Sequence, residues 1–176
     1  MPYASFKDLT WTGSIHSESE LGQRHRFNVK DFITSRLNPS SFNSATCDAI
    51  LVLNKSGGTL AKGHTVLPST TASYGFPYAV QGVAGTAFMA GVVSPWIPEA
   101  TVANGEAFWL IVNGFTEIAH TGTGNVTIGA RIELGASGRV TVFGSGVVCG
   151  FAHEASNAPA AGTLFQAYIL EGAGND

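Results

Sequence analysis

The sequence feature that most constrains the fold is a short phrase that recurs four times. Each copy has an apolar residue or proline, a glycine three positions later, and an apolar residue three positions after that glycine. The copies are Leu60–Val66, Val102–Phe108, Val126–Ile132 and Pro159–Phe165. Because glycine adopts positive φ at no steric cost, each phrase predicts a tight turn that leads into a β-strand.

Many short strands and almost no helical pattern after residue 38 predict an all-β fold, either a β-sandwich or a jelly-roll-like barrel. The glycines of the phrases, Gly63, Gly105, Gly129 and Gly162, lie 42, 24 and 33 residues apart, which excludes a solenoid of fixed period. On this spacing the phrase does not by itself indicate duplicated domains.

A second, smaller phrase places a glycine inside an apolar strand. It occurs at Val80–Ala84, Met89–Val93 and Val148–Ala152. A glycine in this setting is typical of a β-bulge or of a close approach between two backbones.

The amino-acid composition of the chain changes near residue 46. Residues 47–176 are predicted to form a β-rich body, and residues 1–46 an extended N-terminal arm with few aliphatic side chains. The arm contains one predicted short helix, which Asn28 caps and Asn38-Pro39 ends. Its isolated aromatic residues need a packing partner, either a neighbouring subunit or the body of the same chain. The expected interface anchors are Phe6, Trp11, Phe27, Phe32 and Phe42.

The chain is poor in charge, since only 12% of its 176 residues are charged. Burial of surface in an oligomer explains this composition, because interface cores are depleted in charged residues. A neutral surface of Ser, Thr, Asn and Gly is the alternative. The net charge of −3 gives no electrostatic footprint for nucleic acid. We also expect no membrane partner and no exported form, because the sequence has neither a long apolar run nor an apolar signal core.

The reactive residues form no recognisable catalytic pattern. The five histidines are scattered without metal-ligand spacing, and neither a nucleophile elbow nor a phosphate-binding loop occurs. We therefore predict no catalytic, metal-binding or cofactor-binding residue and no enzymatic activity. Cys47 and Cys149 are expected to be buried free thiols, with one disulfide between them as the alternative.

Several segments together resemble the small β-rich decoration, or cement, proteins of tailed-bacteriophage heads. These segments are Leu51–Val66, Ala79–Ala84, Ala90–Val93, Val102–Gly114 and Val147–Ala152, and the resemblance covers residues 49–170. It implies a homotrimer on the outer surface of the virion, made in the host cytoplasm, that binds between major capsid protein subunits at three-fold or quasi-three-fold positions. It carries over no catalytic residues.

Two other classes of function remain open from the sequence. A carbohydrate- or receptor-binding module of a phage head or tail would expose Trp96, Tyr74 or Tyr78, whereas Trp96 between two prolines is otherwise a loop anchor. A hydrolase on a β-fold would instead gather His64, His120 and His153 with Glu154 or another acid in one pocket.

Overall fold

The computed structural model describes residues 9–14, 20–29, 45–68, 78–81, 89–157 and 159–171, with only the backbone for 78–81. These residues contain β-strands and a 3-10 turn at Ala136–Gly138, so the all-β prediction is confirmed. The strands are β1 (Thr12–Gly13), β2 (Arg24–Asn28), β3 (Thr46–Asn54), β4 (Leu60–Ala61), β5 (Thr65–Pro68), β6 (Tyr78–Gln81), β7 (Gly91–Val93), β8 (Thr101–Val102), β9 (Ala107–Ala119), β10 (Asn125–Val126), β11 (Arg131–Leu134), β12 (Val140–Val142), β13 (Val148–Ala152), β14 (Ser156–Asn157) and β15 (Leu164–Ile169).

The strand pairings close into two circuits that share the long strand β9. In the first circuit, here called barrel 1, the order is β3-β6-β5-β7-β9, and β9 pairs again with β3. In the second, barrel 2, the order is β9-β15-β13-β11-β12, and a bridge between Val140 and His120 returns the sheet to the end of β9. The barrel alternative of the sequence prediction therefore takes the form of two small joined barrels.

All four recurring phrases form the predicted glycine turns. The φ angles of Gly63, Gly105, Gly129 and Gly162 are 72°, 91°, 79° and 88°. In each turn the residue after the glycine donates its backbone N–H to the carbonyl three residues earlier, at 3.0 to 3.2 Å. Positive φ at the third position is the signature of a type II turn. The turns lead into β5, β9, β11 and β15 respectively.

The two barrels are copies of one structural unit. The strand order β6-β5-β7-β9 of barrel 1 matches the order β12-β11-β13-β15 of barrel 2. The backbone hydrogen bonds also correspond. Gly63 N–H donates to Val93 O at 2.9 Å in barrel 1, as Gly129 N–H donates to Ala152 O at 2.8 Å in barrel 2. Likewise Gly105 N–H donates to Asn54 O at 2.8 Å in barrel 1, as Gly162 N–H donates to His120 O at 2.8 Å in barrel 2. The recurring phrase thus marks a duplication, which its irregular spacing in the sequence does not reveal.

The glycine of the smaller phrase also has one role in both units. A Cβ on Gly91 would lie 2.5 Å from the carbonyl oxygen of Ile111, and a Cβ on Gly150 would collide with the carbonyl oxygen of Tyr168. The neighbouring strand therefore approaches too closely for any side chain, as predicted.

The two faces of β9 within barrel 1 belong to different apolar clusters. Phe108 and Leu110 lie in the cluster that barrel 1 encloses. Trp109 and Ile111 lie on the opposite, outer face, in a larger cluster that continues into the interior of barrel 2.

Residues of the N-terminal segment cover this outer face of barrel 1. β2 pairs with β3, and β1 pairs with β9. The rings of His25 and Phe27 meet the ring of Trp109 edge-on, with centroids 5.4 and 5.2 Å apart. Leu9 and Val29 are fully buried in the same cluster. The predicted helix after Asn28 falls outside the described residues from position 30 onward, and the boundary between residues 46 and 47 stays a prediction.

Candidate interaction surface

A row of large side chains crosses the outer face of barrel 2 from β11 to β9. Arg131 pairs with Phe151, Phe151 with Tyr168, and Tyr168 with Phe115. Residues that pair directly across a sheet share one face, so these four side chains lie side by side. Phe151 is 40% exposed, Arg131 is exposed, and Tyr168 and Phe115 are half-buried. We call these four residues the aromatic row.

Ring contacts hold the aromatic row in place. Phe115 meets Tyr168 edge-on at 5.2 Å between centroids, and His153 packs against the other side of Phe115 at 5.3 Å. The guanidinium carbon of Arg131 lies 4.2 Å from the centroid of the Phe143 ring. T-shaped pairs and cation–π contacts each contribute about 0.5 to 1.5 kcal/mol, so the row is a pre-ordered surface.

Arg131 lacks an ion pair among the residues that the structure describes. The carboxylate nearest along its own strand, that of Glu133, is already engaged. Glu133 Oε2 accepts the backbone N–H groups of Gly144, Ser145 and Gly146 at 2.9, 3.1 and 2.6 Å. Burial opposes ionisation of Glu133, but these three donors outweigh it and lower its pKa.

The corresponding row in barrel 1 is completely covered. Thr65 pairs with Val92, Val92 with Ile111, and Ile111 with Ala49, in the same register as the aromatic row. These four residues are at most 1% exposed. The same face of the same unit is thus buried in barrel 1, where the N-terminal segment packs on it, and partly open in barrel 2.

The exposed large apolar side chains of the described residues all belong to barrel 2 or to the turn that opens it. They are Ile128 (69%), Val142 (37%) and Phe151 (40%). Phe151 is a member of the aromatic row, whereas Ile128 lies in the turn before β11 and Val142 lies on β12.

An ionic network borders the aromatic row on β2 and β3. The Asp48 carboxylate accepts hydrogen bonds from Arg26 Nε at 2.7 Å and from Arg24 Nη2 at 3.0 Å. Arg24 also donates two hydrogen bonds to the Glu171 carboxylate, at 2.6 and 2.7 Å. The hydrogen bond from Arg26 is the main cause that lowers the pKa of Asp48 to about 2, helped by Arg24 and opposed by burial. The hydrogen bond from Arg24 lowers the pKa of Glu171. The network ties the end of β15 to β2.

A polar depression of about 240 Å³ lies between the network and the aromatic row. Asn113 and Phe115 are two residues apart on β9 and therefore share a face, which places the depression beside the row. Its lining residues are Arg26, Thr46, Cys47, Asp48, Asn113, Gly114 and Tyr168.

Two of the five predicted arm anchors fall on described residues. Trp11 and Phe27 are half-buried and pack against the core of their own chain, which is the alternative in which the arm folds back on its own body. Phe6, Phe32 and Phe42 lie outside the described residues. The predicted role of the five at an interface stays a prediction.

Trp96 is half-buried and packs against the larger core cluster, as the loop-anchor interpretation expects. Tyr74 and the side chain of Tyr78 lie outside the described part of the chain. The exposed aromatic platform of the binding-module alternative is therefore not formed by Trp96.

The pocket expected for a hydrolase does not form. The ring of His120 packs on Phe165, inside barrel 2, at 5.8 Å, whereas His153 packs on Phe115 on the outer face. Burial, followed by the charge of Arg139, lowers the pKa of His64. Within the described residues, no group of three or more His, Cys, Asp or Glu side chains is arranged to hold a metal ion.

Cys47 and Cys149 are buried and unbonded, which confirms the prediction of free thiols. Burial raises the pKa of each thiol to about 12. A thiol of this kind stays protonated at neutral pH and is a poor nucleophile.

Sequence reasoning missed the aromatic row because its members come from four separate strands. A signal was nonetheless present. If Gly150 is aligned with Gly91, Phe151 stands where the first unit has Val92, and an aromatic residue that replaces a buried aliphatic one indicates a changed environment.

In the part of the chain that the structure describes, no helix has the length and apolar character required to cross a membrane.

No protein-family model matches the chain, and no curated protein matches it significantly. Among solved structures, the chain is similar to the N base of head fiber gp8.5 of bacteriophage phi29, with a TM-score of 0.46 and 13% sequence identity. The match covers 73% of this chain and 98% of that chain. A similarity at this level transfers neither a function nor a functional residue.

Proposed function

We propose that this chain is a structural protein of a phage virion that decorates the outer surface of the capsid. It binds between major capsid protein subunits as a homotrimer at three-fold or quasi-three-fold positions, and it has no enzymatic activity. The observation that carries the proposal, through its homotrimer, is the partly open aromatic row on barrel 2, a face that the same unit buries in barrel 1. Such a face is suited to a protein partner.

Composition and architecture support this function. A chain with only 12% charged residues suits a protein whose surface is largely covered in an assembly. Closure of both barrels leaves few open strand edges among the described residues, so the body is stiff enough to transmit load between capsid subunits. The resemblance of residues 49–170 to phage decoration proteins points to the same role.

Binding to capsid shells tests the proposal. Shells of the phage that encodes this chain, prepared without it, are mixed with the purified full-length protein and sedimented. We expect the protein to pellet with the shells up to a fixed ratio and to raise the temperature at which filled heads release DNA. Protein that stays in the supernatant at all concentrations would refute the proposal.

The polar depression supports one second candidate, a carbohydrate- or receptor-binding module. Asn113, Asp48 and Arg26 supply hydrogen-bonding groups beside the ring of Tyr168, a combination suited to a sugar. A panel of immobilised glycans tests this candidate. Binding that disappears in Asn113→Ala, together with absence of capsid binding, would favour it over decoration.

A further inference from the structure

We propose that the aromatic row is the surface through which copies of this chain associate, with Arg131 of one copy against Glu117 of the next. The inference rests on the homotrimer of the proposed function and assigns its contact surface. It names a second copy of this chain as the occupant of the row, and it places the capsid contact elsewhere on the molecule.

The apolar part of the argument comes from the duplicated unit. In barrel 1 the row Thr65–Val92–Ile111–Ala49 is buried beneath apolar and aromatic residues of the same polypeptide, with Phe27 against Trp109 at 5.2 Å. This chain therefore already supplies side chains that cover this face of the fold. In barrel 2 the central residue of the row, Phe151, is 40% exposed.

The charges at the two ends of the row are complementary. Arg131 stands on β11, with its guanidinium stacked on Phe143 and without an ion pair among the described residues. Glu117 stands on β9, two residues from Phe115 and therefore on the same outer face. The row thus presents a cation at its β11 end and a carboxylate at its β9 end.

This arrangement suits a closed ring of copies. β11 and β9 are separated by β13 and β15, so the two ends lie about 14 Å apart at the usual strand spacing of about 4.8 Å. When copies stand around an axis with their rows facing inward, the Arg131 end of one copy meets the Glu117 end of the next. The aromatic side chains then meet near the axis. A head-to-tail contact of this kind closes on itself in a ring.

A substitution at the centre of the row tests the apolar contact. In Phe151→Ser we expect the dissociation constant of the trimer, measured by light scattering over a dilution series, to rise by on the order of 30-fold, as for a central interface residue. Lys62→Glu, a charge reversal at a half-buried turn residue of barrel 1, is the matched control and should leave the trimer intact. Circular dichroism melts establish that each variant is folded.

Charge reversals test the contact between copies. Arg131→Glu and Glu117→Arg should each weaken the trimer, because each places like charges together. The double variant Arg131→Glu/Glu117→Arg should recover most of the lost affinity, since it restores an opposite pair between neighbouring copies. Folded single variants that remain trimeric, or a double variant no better than the singles, would overturn the inference.

The capsid sedimentation assay separates this inference from the proposed function. Phe151→Ser that becomes monomeric, while the wild-type trimer sediments with shells, supports both. Phe151→Ser that remains trimeric but no longer sediments with shells would assign the row to the capsid and overturn the inference alone. A wild-type protein that is monomeric would overturn the inference and the trimer of the proposed function, whether or not it binds shells.

Discussion

Asn54 and His120 occupy the same position in the two barrels, although they are chemically different residues. Asn54 is the last residue of β3, and His120 directly follows β9. Each is fully buried and accepts the backbone N–H of a turn glycine on its carbonyl oxygen at 2.8 Å. Asn54 Oδ1 accepts the N–H of Ser56 at 3.0 Å, and His120 Nδ1 accepts the N–H of Gly122 at 2.9 Å. An amide and an imidazole thus perform one task, which is to turn the chain immediately after the strand.

This equivalence predicts which of two substitutions at His120 lowers the free energy of unfolding more. Burial lowers the pKa of His120, so its ring is neutral at pH 7 and Nδ1 remains an acceptor. His120→Asn keeps an acceptor for Gly122 and should cost less free energy of unfolding than His120→Leu. The leucine leaves the part-buried N–H of Gly122 without this acceptor, at about 1 kcal/mol. Urea unfolding of both variants measures the difference, and a leucine variant as stable as the asparagine variant would contradict the shared role.

The close backbone contact at Gly150 predicts a large effect of one methyl group. Gly150→Ala should lower the free energy of unfolding by about 1 to 3 kcal/mol, because its Cβ would collide with the carbonyl oxygen of Tyr168. Gly58→Ala is the matched control, since no atom lies within 4 Å of its Cβ position. Thermal melts compare the two variants. Equal melting temperatures would disprove the close approach.

The ionic network predicts a loss of stability in acid. The pKa of Asp48 is about 2 in the folded chain and 3.8 ordinarily, so the folded state favours the carboxylate. Its contribution is complete above the ordinary pKa and is lost as the pH falls through the folded value. Asp48→Asn should therefore be less stable than wild type by about 1 to 2 kcal/mol at pH 7, a figure reduced for the solvent exposure of both arginines, and equally stable near pH 2.

Urea titrations at several pH values between 7 and 2 measure this convergence. The control is Glu99→Gln, which removes an exposed carboxylate that belongs to none of the ion pairs found in the described residues. A difference between Asp48→Asn and wild type that does not shrink towards low pH would rule out the assigned role of the network.

The buried thiols predict a simple labelling result. At pH 8 a thiol with a pKa of about 12 is almost entirely protonated, and both cysteines are also shielded from reagent. A thiol-reactive dye should label neither cysteine in the native protein and both in urea without reductant. Absence of labelling in urea would instead show a disulfide.

The positions of the turns could be predicted from the sequence, because each requires a residue that tolerates positive φ. Gly63, Gly105, Gly129 and Gly162 meet that requirement, and the strands that follow them begin where expected. Local stereochemistry dictates these positions, so no knowledge of the tertiary structure is needed.

The duplication could not be predicted in this way, because the two barrels share their pattern of backbone hydrogen bonds but not their side chains. Asn54 corresponds to His120, and Ala49 to Phe115, pairs that share no obvious chemistry. The loops between the turns also differ in length, which removes any fixed period from the sequence.

The candidate surface lay beyond sequence reasoning for a related reason. Isolated aromatic residues in the first 46 positions suggested an external partner, yet Phe27 and His25 stack on Trp109 of the same chain. The aromatic row is brought together only by the pairing of β11, β13, β15 and β9. Its exposure depends on which of the two barrels the N-terminal segment covers, a property of the tertiary structure alone.

The measurement that tests the proposed function most directly is a cryo-electron microscopy comparison of two capsids, one with this protein and one without it, from the phage that the proposal assigns as its source. Our account predicts additional density on the outer surface at three-fold or quasi-three-fold positions. That density should hold three copies of the joined barrels and bridge neighbouring capsid subunits. Identical shells in the two maps, or density at the tail alone, would contradict it.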